Sequence, residues 1–307
     1  MPLASHVDIH APVAEALNAG RAVVALESTI LTHGMPWPQN DAMAAEVEAI
    51  VADEGAVPAT VAVIGGRLRI GLSAQERKTL AQGREAMKLS RADLAFALAE
   101  GRTGGTTVAA TMMAAHLAGI SVFATGGIGG VHKGAETSFD ISSDLDELAR
   151  SPVVVVSAGP KAILDIPKTL EVLESRGVPV VGYQTDTMPA FWSRNSPCPA
   201  PLRLDSAEAI ARFQKTRVEL GITGGMLVAN PVPPAEEIPA AELEVVIARA
   251  QAEADVQGVK GKAVTPFLLE RILEMTEGRS LATNIALVKN NARLAARIAI
   301  AVSATKA

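Results

Sequence analysis

A lysine set immediately after a buried apolar run costs desolvation unless it has a partner or a task. The stretch VVVVSAGPKAILD, residues 153–165, has this form, with Ser-Ala-Gly-Pro leading from four valines to Lys161. One task is nucleophilic attack on a carbonyl-type carbon, which requires a neutral amine. Burial, a nearby divalent cation and the amides of a helix start all favour that form. The competing reading is a structural lysine paired with an acidic neighbour.

Other polar residues follow apolar runs in the same way. Glu27-Ser28-Thr29 follows VVAL, and TGGIGGVHK, residues 125–133, follows VFA. The glycines between Thr125 and His132 could let backbone N–H groups approach a phosphate, or could serve only as a flexible turn. They lack the GK[ST] ending of a Walker loop, and they do not open a clear helix as G-x-G-x-x-G does. RTGGTT, residues 102–107, offers the same chemistry just before a predicted helix, whose first amides favour anions.

ETSFDISSDLDELAR, residues 136–150, gathers Asp140, Ser142, Ser143 and Asp144. Ser143 or Asp144 could cap the helix LDELAR. A carboxylate there could instead hold a hard divalent cation that keeps most of its waters. The absence of a Cys/His cluster argues against structural zinc. His33 and His132 read as solvated loop histidines, and His6, His10 and His116 as background. Cys198 lies in NSPCPAP, a loop stiffened by prolines rather than a nucleophile's setting.

The elements that must position these residues are legible as alternation. Apolar runs at 22–29, 58–66, 120–127, 151–159 and 178–185 predict strands, and their near-continuous apolarity predicts cover on both faces. Helical periodicity falls at 40–55, 106–119 and 167–177, each ending in a glycine suited to a positive φ. Asp165 before Ile166-Pro167 predicts an N-cap followed by an early helical proline. Near residue 230 a proline-rich connector, ANPVPPAEEIPAAE, leads to two strong helices at 240–255 and 281–304. Alternating βα units predict a mostly parallel central sheet sandwiched by helices, with a helical C-terminal part. In such sheets ligands sit beyond the carboxyl ends of the strands, where Glu27, Thr125 and Lys161 would converge.

With 307 residues, 49% hydrophobic and 20% charged, the chain can bury a large core, and it is read as a single domain over 1–307. Aromatic residues make up only 3%, so small aliphatics must fill that core. A net charge of -5 argues against a general nucleic-acid binder. The single cysteine excludes an intrachain disulfide and fits a reducing compartment. Neither a secretory leader nor a membrane span is evident, and a cytoplasmic location is expected.

The blocks ALESTILTHGMPWPQN, KLSRADL, GGTTVAATM, FATGGIGGVHKGAETSFDISSDL, VSAGPKAILDIPKTLE, GYQTDTMPAFW, GKAVTPFLL and SLATNIALVKNNARLAARIA together carry a resemblance. By them the chain resembles the pseudouridine-5′-phosphate glycosidase family, also known as the indigoidine synthase A family. The resemblance implies an α/β/α sandwich, a homotrimer, and reversible cleavage of a C–C glycosidic bond to give uracil and ribose 5-phosphate. It implies Lys161 as the nucleophile that forms an imine with the ring-opened sugar, and Glu27 as proton donor. Asp140 matches the metal ligand, with Mn²⁺ the usual ion and Mg²⁺ possible. Lys88, which otherwise reads as a surface charge, matches a substrate contact, as do the backbone around Val108 and Ser142, Ser143 and Asp144. Thr125 and the glycines after it are expected at the phosphate, and His132 and Asn284 at the phosphate or the base. Three other readings use the same parts: a ribokinase-like sugar kinase, a Schiff-base aldolase, and a non-catalytic ribose 5-phosphate sensor. The kinase would need a nucleotide signature that the sequence lacks.

Overall fold

The computed structural model describes residues 6–259 and 264–305. Residues 261–263, which begin the GKAVTPFLL block, lie outside that range. Seven parallel strands form the body of the main sheet, in the order Val57–Ile64, Val23–Leu26, Val122–Ala124, Val154–Ser157, Met226–Ala229, Val180–Tyr183 and Leu202–Leu204. Arg67–Ile70 and Gly104–Thr106 extend it by antiparallel pairing to Val57–Ile64, and Val7–Ile9 and Met87–Leu89 complete the edges. The expectation of a mostly parallel sheet is met.

The strand side chains alternate between two cores, which is why the apolar runs are continuous. Val24, Leu26, Val122, Ala124, Val154 and Val156 pack with Met43, Val47, Ile210 and Leu287. Val23, Ala25, Phe123, Val153 and Val155 pack on the opposite face with Val13, Met112, Leu145 and Leu173. The first layer is built by helices Gln39–Asp53, Ala207–Glu219 and Arg279–Ala304, the second by Ala11–Asn18, Val108–Ala118, Ser143–Arg150 and Ile166–Ser175. The result is a three-layer α/β/α sandwich. Each valine buried in this way contributes about 1.5–3 kcal/mol.

Local signals hold where they rest on chemistry. Asp165 caps its helix, its carboxylate accepting from the Lys168 amide at 3.0 Å. Gly119 closes the helix Val108–Ala118 at φ +79°, a left-handed conformation that a side chain would strain. The helix Ser143–Arg150 is capped by Ser142, one residue ahead of the expected cap. The strands are shorter than the apolar runs: the run at 151–159 pairs over Val154–Ser157 and then turns into the loop before Lys161.

Three elements depart from the sequence reading. Met226–Ala229, in the middle of the sheet, is only four residues long and is hidden between Gly-Gly and Asn-Pro. Helix Ala207–Glu219 is polar on its outer face, and helix Val264–Met275 adds a third member to the C-terminal helices. The proline-rich connector holds a single 3₁₀ turn, Pro234–Glu236, and is pinned to the body. The Ile238 amide donates to the Trp192 carbonyl at 3.0 Å and the Thr283 hydroxyl to that of Glu236 at 2.8 Å. Among the described residues no helix is long and apolar enough to cross a membrane.

Candidate active site

The chain leaves strand Val23–Leu26 toward Val57–Ile64 on one side, and later reaches Val122–Ala124 on the other. Strand order therefore reverses about Val23–Leu26, and a crevice opens at the carboxyl ends there. Glu27 emerges at that point, with Thr125 at the tip of the neighbouring strand. Just past the strand end, Glu27 and Thr29 line the cleft and Ser28 turns inward. The Ser28 hydroxyl is fully buried, donates to the Val61 carbonyl at 2.6 Å and accepts from the Thr106 amide at 2.9 Å. The Thr29 hydroxyl donates to Glu27 Oε2 and the Thr125 hydroxyl to Glu27 Oε1. Thr125 is only 1% exposed, so the hydroxyl expected at a phosphate is committed to Glu27 instead.

The loop that carries Lys161 runs beside the glycine loop as a continuation of the parallel ladder. The Thr125 amide donates to the Val156 carbonyl, Ala158 to Gly126, Ile128 to Gly159, and Lys161 to Ile128, all within 2.9–3.1 Å. Gly159 has φ +83°, and a Cβ there would lie 2.5 Å from the Pro189 carbonyl. These bonds fix the backbone from which Lys161 reaches the cleft. The acidic neighbours demanded by the competing reading go to another lysine: Lys168 Nζ lies 2.8 Å from Glu136 and 3.0 Å from Asp165. Lys161 makes no ion pair among the described residues.

A second wall comes from Met87–Leu89 and from the segment after the glycine loop. Lys88 projects from its strand opposite Gly105. The Ser90 and Ser143 hydroxyls lie 2.7 Å apart, and Arg91 pairs with the buried Glu147, so the start of helix Arg91–Ala99 is tied to that of Ser143–Arg150 beneath the cleft. Asp144 is 5% exposed and accepts from the Ala109 amide at 2.9 Å and the Gly129 amide at 2.8 Å. Its carboxylate thus already holds the second amide of the helix Val108–Ala118. A Cβ on Gly129 would come within 2.7 Å of Asp144 Oδ2, which is why the close approach needs glycine.

His132 is held by a short two-stranded ladder, paired with Leu164, and its amide donates to the Asp140 carbonyl at 3.0 Å. Burial holds the His132 imidazole below its ordinary pKa, Lys161 and Lys88 add to this, and Asp140 opposes it. His33 is also lowered, first by burial and then by Lys88. His132 is half-buried rather than solvated, whereas His33 is exposed, as the sequence reading expected.

Two contiguous spaces share Glu27, Thr29, Lys88, Lys161 and Thr265. One, of about 430 Å³, reaches Val108, His132, Asp140, Ser142, Ser143 and Asp144. The other, of about 100 Å³, reaches His33, Phe191 and Asn284. Trp192 Nε1 donates to Asn284 Oδ1 at 2.7 Å, which fixes the amide so that its NH₂ remains as the donor available to a ligand. A larger cavity of about 660 Å³ lies behind the strand that carries Lys88, lined by Glu76, Arg84 and Arg102. It contains none of the candidate residues.

No group of three or more His, Cys, Asp or Glu side chains suited to a metal occurs among the described residues. Asp140 stands half-buried on the cleft wall and makes no ion pair among the described residues. One carboxylate facing an open, polar space suits a hard cation that keeps its waters and shares a phosphate, and does not suit a fully caged ion. The arrangement brings together every expected site residue, with Thr125 reaching it through Glu27. The sequence reading placed Thr29 among the polar residues after a strand but gave it no role, and it missed His33, which only the fold brings to the cleft.

A family model described as indigoidine synthase A like protein matches residues 12–301. A pseudouridine-5′-phosphate glycosidase of Mesorhizobium japonicum is 72% identical over 95% of this chain and 96% of the relative. One of Dinoroseobacter shibae is 62% identical over 97% and 98%. Among solved structures, the prealnumycin C-glycosynthase AlnA in complex with ribulose 5-phosphate superimposes with a TM-score of 0.91, at 36% identity and 98% coverage of both chains. An indigoidine synthase A-like protein of Thermotoga maritima gives 0.88, at 34% identity and 97% coverage of both.

Proposed function

The chain belongs to the indigoidine synthase A like family, and from that premise we propose that it is a pseudouridine-5′-phosphate glycosidase. It splits the C–C bond between C1′ of ribose 5-phosphate and C5 of uracil, consuming one water, and the reaction is reversible. The observation that carries this reading is the convergence of Glu27, Lys88, Lys161 and Asp140, from four separate segments, on one cleft at the carboxyl ends of the strands. Curated relatives more than 60% identical over nearly the whole chain support it.

A carbon leaving group is poor, so direct departure from an oxocarbenium ion is disfavoured and a covalent route is needed. Lys161 Nζ, as the neutral amine, forms a bond to C1′ while the C1′–O4′ bond breaks and O4′ takes a proton from Glu27. The attached nitrogen returns one N–H proton to Glu27. Its lone pair then expels C5 as the C1′–C5 bond breaks, and Glu27 passes that proton to C5 of uracil, leaving the protonated imine. Water adds to the imine carbon and expels Lys161, releasing ribose 5-phosphate. Lys88 places a cation beside this path, and Ser142 and Ser143 offer hydroxyls at the broad end of the cleft. Asn284 supplies an amide donor at the narrow end, of a kind that suits a uracil carbonyl.

The same proposal includes Mn²⁺, with Mg²⁺ able to replace it: Asp140 would hold the ion, which supplies positive charge against the phosphate. It also includes a homotrimer, supported by the apolar side chains of Phe139, 82% exposed, and Ile141 at the cleft's rim. A cytoplasmic location fits the single cysteine and the metabolite substrate.

The test is intact-protein mass after borohydride reduction with ribose 5-phosphate and Mn²⁺, alongside uracil release from pseudouridine 5′-phosphate. An adduct mapped to Lys161 in wild type and absent from Lys161→Ala, together with uracil release, is the expected result. Binding of the sugar phosphate without either product would leave a sensor.

A further inference from the structure

Glu27 is the one acid in the proposed reaction, and its two oxygens are already occupied by hydroxyl donors from two different loops. Thr29, two residues on, serves Oε2, and Thr125, at the tip of the adjacent strand, serves Oε1. The rest of each threonine is anchored elsewhere. The Thr125 carbonyl accepts from Asn291 Nδ2 at 2.8 Å, and its amide donates to Val156 at 3.0 Å. Thr29 is held by the buried Ser28, which locks the intervening backbone to Val61 and Thr106.

We propose that Thr29 and Thr125 are positioning residues that clamp Glu27 in the orientation from which it serves O4′. This rests on the reaction proposed above and adds residues to it. Two hydroxyls donating to both oxygens are the partners of a carboxylate, so Glu27 must collect a proton before it can give one. Lys161 supplies it: the ammonium passes its proton to Glu27 as it becomes the nucleophile, and Glu27 passes the same proton to O4′ as the ring opens. The balance closes with no further acid. Thr125 has almost no exposed surface, so its contribution passes through Glu27 and not through contact with the sugar.

The groups around the clamp are consistent with that proton path. Lys88, Lys161 and His33 share the narrow space with Glu27, and His132, Asp140 and Asp93 lie along the broad one. Behind it, Glu48 is taken by Thr60 and Arg77. Lys161 thus lines the same space as Glu27 and makes no ion pair among the described residues.

The experiment compares Thr29→Val, Thr125→Val and the two serine variants on the full chain. A hydrogen bond to a charged group is worth roughly 10- to 100-fold, so each valine variant is expected to lose about that factor in kcat for uracil release. KM stays within about twofold, because the threonines do not hold the substrate, and serine restores most of kcat. Ribose 5-phosphate already presents an open-chain aldehyde, so the borohydride adduct on Lys161 still forms in every variant. Unchanged kcat in the valine variants, a loss confined to KM, or serine behaving as valine does would each overturn the clamp. Thr29 lies at the cleft rim, so Thr29→Val decides the matter even where Thr125→Val fails to fold. Absence of uracil release from the wild type would overturn the reaction itself, a separate outcome.

Discussion

Asn291 donates its side-chain amide to the carbonyl of Thr125 at 2.8 Å, joining the helix Arg279–Ala304 to the strand tip that holds the proposed acid. Its Oδ1 accepts from Asn230 Nδ2 at 3.0 Å, so one buried side chain ties two strand ends together. Asn291→Ala would leave the Thr125 carbonyl and the Asn230 amide without these partners, at about 1–3 kcal/mol each. Calorimetry should show a lowered Tm, and uracil release should fall with it because Thr125 loses its anchor. An unchanged Tm would mean that the two groups find other partners.

Asp144 holds two backbone amides with two oxygens, so replacing one oxygen by NH₂ sets a donor against a donor. Asp144→Asn should destabilise the fold by about 1–3 kcal/mol, although the side chain keeps its shape. Denaturant titration should show a shifted midpoint with the slope unchanged. A variant as stable as wild type would assign Asp144 to the substrate rather than to the scaffold.

Lys88 faces both parts of the cleft and is the proposed partner of substrate charge. Lys88→Ala should weaken ribose 5-phosphate binding by about 10- to 100-fold, as loss of a charged hydrogen bond does. Titration calorimetry measures this directly, and borohydride trapping at saturating sugar should still mark Lys161. An unchanged Kd would remove Lys88 from the phosphate's surroundings.

Glu76 closes a capping box with Ser73, accepting the Ser73 amide at 2.9 Å. That bond, then the Ser73 hydroxyl and Arg69, hold the Glu76 carboxyl below its usual range against the opposing effect of burial. A carboxyl lowered by folding stabilises the native state above its unfolded value, near 4.3, and loses that contribution as pH falls through its folded value. Glu76→Gln should therefore lower stability at pH 7 by about 1 kcal/mol. Thermal melts should converge with wild type at strongly acid pH. A difference that persists there would point to packing rather than charge.

The sequence carried the layers of the fold because continuous apolar runs and glycine-ended helices are local signals. It identified Lys161 for the same reason, since a cation after a buried run is visible without a fold. Met226–Ala229 escaped because four apolar residues are too few to establish a period, although the strand occupies the centre of the sheet. Lys88 entered only through resemblance, since its strand is three residues long and its position depends on pairing with Gly104–Thr106. The role of Thr125 was not legible, because converging strand tips place it near Glu27 without showing that its hydroxyl donates to that carboxylate.

Strand Met226–Ala229 lies between Val154–Ser157 and Val180–Tyr183, both of which precede it in the chain. During synthesis those two strands therefore emerge with facing edges that must not zip together. A place has to be kept open for a piece not yet made. Unpaired edges of this kind invite pairing with other chains. The nascent polypeptide is accordingly exposed to aggregation between the emergence of Val180–Tyr183 and that of Met226–Ala229. A ribosome pausing in that interval would prolong the hazard, and one running quickly through it would shorten it.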